Sequence, residues 1–155
     1  MQILLISVGT RMPSWVQQGF DEYTKRLPRE YALKLLEVQL KKRTKNSDIQ
    51  RLVAAEGKQI LALIPPATFV IAMELSGKQW STEQLASSLD GWQMQYRHVA
   101  LLVGGPDGLS KECLDRANQR WCLSELTFPH PLVRIIIAEQ LYRSWSLLNN
   151  HPYHR

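Results

Sequence analysis

The chain is poor in cysteine. Only Cys113 and Cys122 occur in 155 residues, and their spacing matches neither a metal site nor a redox motif. That excludes a disulfide-stapled fold and leaves two reduced thiols, the expectation for a cytoplasmic protein. Long apolar runs are also missing: none approaches the ~20 residues of a membrane span. The opening MQILLISVGTRMP lacks the basic start of a signal peptide and reads as a buried strand. There is no internal repeat and no low-complexity segment. Three catalytic signatures are absent. Gly-x-Gly-x-x-Gly is missing, which speaks against a nucleotide-binding oxidoreductase. So are the Gly-Lys-Ser/Thr of a phosphate loop and the Gly-x-Ser-x-Gly of a serine hydrolase. His98, His130, His151 and His154 have no acid or cysteine cluster beside them. His151 and His154 match a metal pair in spacing alone, so no metal is expected.

What is present suits one globular domain over residues 1–155 with a single core: 45% hydrophobic and 21% charged residues. The net charge of +5 is unevenly spread. Residues 25–58 hold ten Lys or Arg against four acids, a net of +6, so the rest of the chain sums to −1. Its densest part is the loop with Lys41, Lys42, Arg43 and Lys45. A concentrated basic segment is the footprint of a polyanion binder, or simply a solvated loop and helix face.

Apolar periodicity predicts five strands, Ile3–Val8, Tyr31–Leu40, Thr68–Leu75, His98–Val103 and Trp121–Phe128, the last either a strand or an extended loop. Between them lie helices. One runs from Pro13 to Leu27, with Trp15, Phe20, Tyr23 and Leu27 toward a core. The next is capped by Ser47 and carries the stripe Ile49, Leu52, Val53, Ile60 and Leu63. Ser81 caps a helix with the stripe Leu85, Leu89 and Trp92, and Ser110 caps a short one. Ser76-Gly77-Lys78 reads as a turn. Alternation of this kind predicts an α/β fold with a mostly parallel sheet and helices on both faces. In such a sheet ligands bind beyond the carboxyl ends of the strands. That nominates Gly9-Thr10, Ser76-Gly77-Lys78, Gly104–Gly108 and the loop near Leu126–His130.

The last stretch is the oddest. Pro131 suits a first helical turn, and Leu132 to Leu148 reads as a helix. At 100° per residue, Leu132, Ile135, Ile136, Glu139, Tyr142, Arg143 and Ser146 share one side, and Ile137, Leu141, Trp145 and Leu148 the other. A helix apolar on two sides needs cover on both; a small domain can cover one side, and a second chain could cover the other. Glu139 and Arg143 form an i,i+4 pair among apolar neighbours, which is costly unless paired or used. The tail beyond Asn149 carries His151, Tyr153, His154 and Arg155, side chains able to stack on bases and grip phosphates.

Taken together, GTRMPSWVQQGFDEYTKRLP, KKRTKNSDIQR, LLVGGPDGLS, LSELTFPHPLVR and NNHPYHR resemble one family along the whole chain. It is the SPOUT-class bacterial family that methylates N3 of a pseudouridine in 23S ribosomal RNA. The resemblance implies a C-terminal trefoil knot, a homodimer, S-adenosylmethionine as cofactor and 23S ribosomal RNA as partner, within the large subunit or whole ribosome. The family's cofactor contacts fall at Met73, Gly104, Leu123, Ser124, Glu125, Leu126, Thr127 and Phe128. Glu139, Arg143, Tyr153 and His154 are the catalytic candidates. Lys41, Lys42, Arg43, Lys45, His151 and Arg155 are the candidates for RNA contact. The competing expectation is an RNA- or ribosome-binding protein without chemistry, using the same basic patch.

Overall fold

The computed structural model describes residues 1–155. Five strands form one sheet: β1 (Gln2–Val8), β2 (Ala32–Val38), β3 (Phe69–Gln79), β4 (His98–Val103) and β5 (Gln119–Cys122). Their order is β2-β1-β4-β3-β5, and every pair is parallel. Five helices connect and follow them: α1 (Ser14–Thr24), α2 (Ile49–Ala62), α3 (Thr82–Gln95), α4 (Lys111–Arg116) and α5 (His130–Leu148). Successive side chains of a strand point to opposite faces. Ile3 and Leu5 therefore pack with Phe20, Leu85, Leu89, Ile137 and Leu141 of α1, α3 and α5. Leu4 and Ile6 pack with Ile60 of α2 and Cys113 of α4. The expected α/β class, parallel with helices on both faces, is what the structure has. No helix is long and apolar enough to cross a membrane.

Several local expectations are corrected. Trp15 is 51% exposed, while Val16 and Phe20 are buried. Trp15 and Phe20 are five residues apart, roughly 140° around a helix, so they cannot share a face. The cap of α2 is Asp48, whose carboxylate accepts from Arg51 N at 3.3 Å. Ser47 instead closes the preceding loop, its Oγ accepting from Thr44 N at 2.7 Å. Ile49 and Leu63 are exposed, and the inward stripe of α2 is Glu56, Gly57 and Ile60. Ser81 and Ser110 cap α3 and α4 as expected, Ser81 within a full capping box with Gln84.

Ser76-Gly77-Lys78 is not a turn but part of β3. Met73 and Lys78 both pair with Trp121, so the intervening residues bulge out of the ladder. A Cβ on Gly77 would lie 2.7 Å from the Arg120 carbonyl carbon, which is why the strand returns to register at a glycine. The bulge begins where β3 leaves β4, after Ala72.

Helix α5 starts with Pro131 in its first turn. Its own chain covers more of it than the two-sided pattern suggests. Ile137, Ala138, Leu141 and Tyr142 are buried. Ile135 packs so closely on α1 that a Cβ on Gly19 would meet its Cδ1 at 2.8 Å. Leu132 remains 39% exposed. The tail then folds back as a single 3-10 turn, Pro152–His154.

Candidate active site

The carboxyl ends of β3, β4 and β5 enclose a cleft of about 370 Å³. Two backbone devices shape it. After β4 the chain turns so tightly that a Cβ on Gly104 would sit 2.4 Å from the Gly108 carbonyl carbon. Gly108 N donates to Gly105 O at 3.0 Å, with φ +80 at Gly108, a conformation suited to glycine. After β5, Ser124 Oγ accepts from Leu126 N at 3.0 Å and folds the 123–128 loop over the opening. The β3 bulge adds Glu74 and Leu75 to the wall.

Met73, Gly104, Leu123, Ser124, Leu126, Thr127 and Phe128 line this cleft; Glu125 is exposed and does not. Pro106 and His130, which line it too, fall within the loops that the strand-end rule nominates, whereas Glu74 and Val133 were not singled out. His130 opens α5, and burial holds its pKa below the usual histidine value, helped by the nearby Arg134 cation and opposed by the Gly105 carbonyl. The imidazole is therefore neutral at physiological pH. Glu74 is the one charged side chain of the lining. Apolar walls, glycine backbone and a single carboxylate suit a flat, partly apolar ligand that carries one positive charge.

Arg134 is a second residue that periodicity hid. It is 2% exposed. Its Nη1 donates to Glu37 Oε2 and its Nη2 to Gly9 O, both at 2.8 Å, while Nε has no partner. The first turns of α5 are thus bolted to the carboxyl ends of β1 and β2.

The catalytic candidates gather elsewhere. Arg143 Nε donates to Glu139 Oε1 at 2.8 Å, and Tyr153 Oη donates to the same oxygen at 3.0 Å. Gln140 Nε2 donates to Glu139 Oε2 at 2.8 Å. The Arg143 guanidinium lies 5.1 Å from the Tyr153 ring centre. The Glu139 carboxylate raises the Arg143 pKa. Burial, then Glu139, push the Tyr153 phenol up to about 12, so it stays protonated and acts as a donor. Ser146 Oγ donates to His151 O at 2.9 Å and accepts from His154 N at 3.0 Å. His154 Nδ1 lies 3.0 Å from the same oxygen. A hydroxyl has one proton, so Nδ1 is assigned the other, leaving Nε2 with the free lone pair. None of these four side chains lines the cleft. Arg143 is ten residues beyond Val133 on α5, about 15 Å along the axis. One chain does not bring the two sets together.

The basic loop is divided as well. Lys42 and Lys45 are exposed and Lys41 is half-buried, but Arg43 is turned inward onto Glu56 and Asp107. His151 packs 5.5 Å from the Trp145 ring, and Arg155 is exposed. Asp107 thereby serves as an ion-pair partner rather than only as a turn residue.

A family model described as "Predicted SPOUT methyltransferase" matches residues 1–154. The chain belongs to the SPOUT methyltransferase family. It is 55% identical over 155 residues to the Ribosomal RNA large subunit methyltransferase H of Marinomonas sp. (strain MWYL1), covering all of both chains. It is 57% identical over 155 residues to the protein of the same name in Methylococcus capsulatus (strain ATCC 33009 / NCIMB 11132 / Bath), again covering all of both. SPOUT membership makes the chain a methyltransferase, so the strand-end cleft belongs to an enzyme. A binding module without chemistry is not favoured.

Proposed function

We propose that the chain transfers a methyl group from S-adenosylmethionine to N3 of a pseudouridine in 23S ribosomal RNA, on the large subunit or assembled ribosome. The observation that carries this reading is the full-length identity of 55% and 57% to two proteins named for methylation of large-subunit ribosomal RNA. The cleft supports it. The cofactor supplies an activated methyl on a sulfonium; Met73, Gly104 and the 123–128 loop fit its apolar shape, and the Glu74 carboxylate is opposite in sign to its sulfonium charge. Glu125 belongs to the same loop without lining the cleft.

The acceptor is an imide nitrogen that is protonated at neutral pH. Its N–H must be weakened and the charge spreading onto the flanking carbonyl oxygens must be held. Arg143 keeps N–H groups free beyond those on Glu139 and is the donor suited to those oxygens, while Tyr153, whose one proton goes to Glu139, holds that carboxylate and offers its ring to the base. Glu139 orients both through one oxygen. His154, with Nε2 free, is the proton acceptor. Alignment of the reacting atoms supplies much of the rate. The separation of ~15 Å along α5 supports a homodimer in which the tail of one subunit reaches the cleft of the other. Exposed Trp15 and Leu132 are apolar surface that such a partner would cover. Lys41, Lys42, Lys45, His151 and Arg155 would hold RNA phosphates and bases.

The test is labelled methyl transfer to ribosomes from cells lacking the endogenous enzyme, with the modified base mapped. Label at N3 of a pseudouridine in 23S RNA is expected. Label at another atom, or none, sinks the proposal.

A further inference from the structure

The basic loop and the glycine turn are joined by one side chain. Arg43 Nη1 donates to Glu56 Oε2 at 2.7 Å and to Lys41 O at 2.8 Å. Its Nη2 donates to Glu56 Oε1 at 3.1 Å, and its Nε donates to Asp107 Oδ2 at 2.9 Å. Four of the five guanidinium N–H groups are therefore committed, and the side chain is only 17% exposed. Little is left to offer a phosphate. Glu56 is 2% exposed on α2, and its Oε2 also accepts from Lys41 N at 3.0 Å. It anchors the fork from beneath.

Asp107 is the tip of the turn closed by Gly108 N and Gly105 O. The flanks of that turn, Gly104, Gly105, Pro106 and Gly108, line the cleft. Arg43 thus holds, with one guanidinium, the loop that presents Lys42 and Lys45 and the turn that shapes the cleft. We infer that Arg43 is a positioning residue, not an RNA ligand, and that through Asp107 it makes polyanion binding at the basic loop and ligand binding in the cleft strengthen each other. Phosphates held by Lys42 and Lys45 fix residues 41–47, which keeps the Arg43 fork on Asp107 and the turn in place. A second ligand then meets a loop already ordered, and linkage makes the effect reciprocal.

This rests on the reading of the cleft as the cofactor site. The test is equilibrium dialysis of labelled S-adenosylhomocysteine, which avoids turnover, with the full-length protein. The affinity is measured with and without saturating ribosomal large subunits. The native protein should bind at least about fivefold more tightly with subunits present. Asp107→Ala, which removes the acceptor for Arg43 Nε and leaves the Arg43–Glu56 bonds intact, should bring that factor close to one. Arg43→Lys, which keeps the charge but loses the fork, should do the same. Asp115→Asn, breaking an exposed pair with Lys111, should leave it unchanged. A merely structural clamp would lower the melting temperature and leave the factor intact, and that result overturns the inference. So does a factor near one in the native protein. No uptake by the native protein under either condition overturns the reading of the cleft itself, and the inference with it.

Discussion

The strand-end cleft and the C-terminal tail are built by different means. The cleft is a product of backbone: a glycine turn, a strand bulge and a loop closed by one hydroxyl. Its lining comes from one chain and carries a single charged side chain. The tail is a product of side chains: Glu139 gathers Arg143, Tyr153 and Gln140, and Ser146 pins His151 and His154. It is a set of donors and acceptors outside the lining of the strand-end cleft. On the proposed function, backbone would hold a ligand whose shape is fixed and side chains would meet one whose charge changes during reaction. The two can be separated by experiment.

Deleting residues 151–155 should give the largest effect. Methyl transfer to ribosomes is expected to fall to background, while S-adenosylmethionine affinity by calorimetry stays within about twofold. A truncated protein with full activity would erase the distinction between the regions. Arg143→Lys should come next, lowering kcat by roughly 10²–10³ as one charge-stabilising donor is lost, again with cofactor affinity retained. Gly104→Ala should act in the opposite sense. The added Cβ cannot coexist with the Gly108 backbone at 2.4 Å, so cofactor should bind about tenfold more weakly or worse, with the tail untouched. If cofactor affinity is unchanged, the turn is not part of that site.

The smallest expected effect is pH-dependent. The folded pKa of His130 is depressed by burial below 6.5. The unfolded chain therefore takes up the proton first as pH falls. Stability is undiminished above about 6.5 and is lost as pH drops toward the folded pKa. Urea midpoints at pH 7.5 and 5.5 should show a larger drop for the native protein than for His130→Asn. Equal drops would mean that His130 is not a half-buried neutral wall.

Much of this was legible in the residues. The parallel sheet followed from alternating strands and helices, and the Ser81 and Ser110 caps from polar residues before apolar stripes. The glycine turn followed from the rule that ligands sit at strand ends. What stayed hidden has a common cause. Periodicity counts apolar residues, so it passes over Glu56 and Arg134, which are buried because each finds polar partners outside its own helix. Arg134 meets Glu37 across 97 positions, and Arg43 meets Asp107 across 64. Charge density put Arg43 among the candidates for RNA contact for the same reason. Trp15 was misplaced by hydrophobicity overriding helical phase. The β3 extension was misread because Gly77 looks like a turn residue in isolation, and only the nearby Arg120 backbone explains it.

The place of β1 in the sheet has a consequence for synthesis. It is the first strand made, yet it lies between β2 and β4, and Gln2 must wait for His98 to complete its ladder. At ~5–20 residues per second, that wait is roughly 5–20 seconds. For that interval ILLISV emerges with one edge unpaired and no finished layers to shelter it. The nascent chain therefore has a window of vulnerability, which sits at its first strand rather than at its last helix.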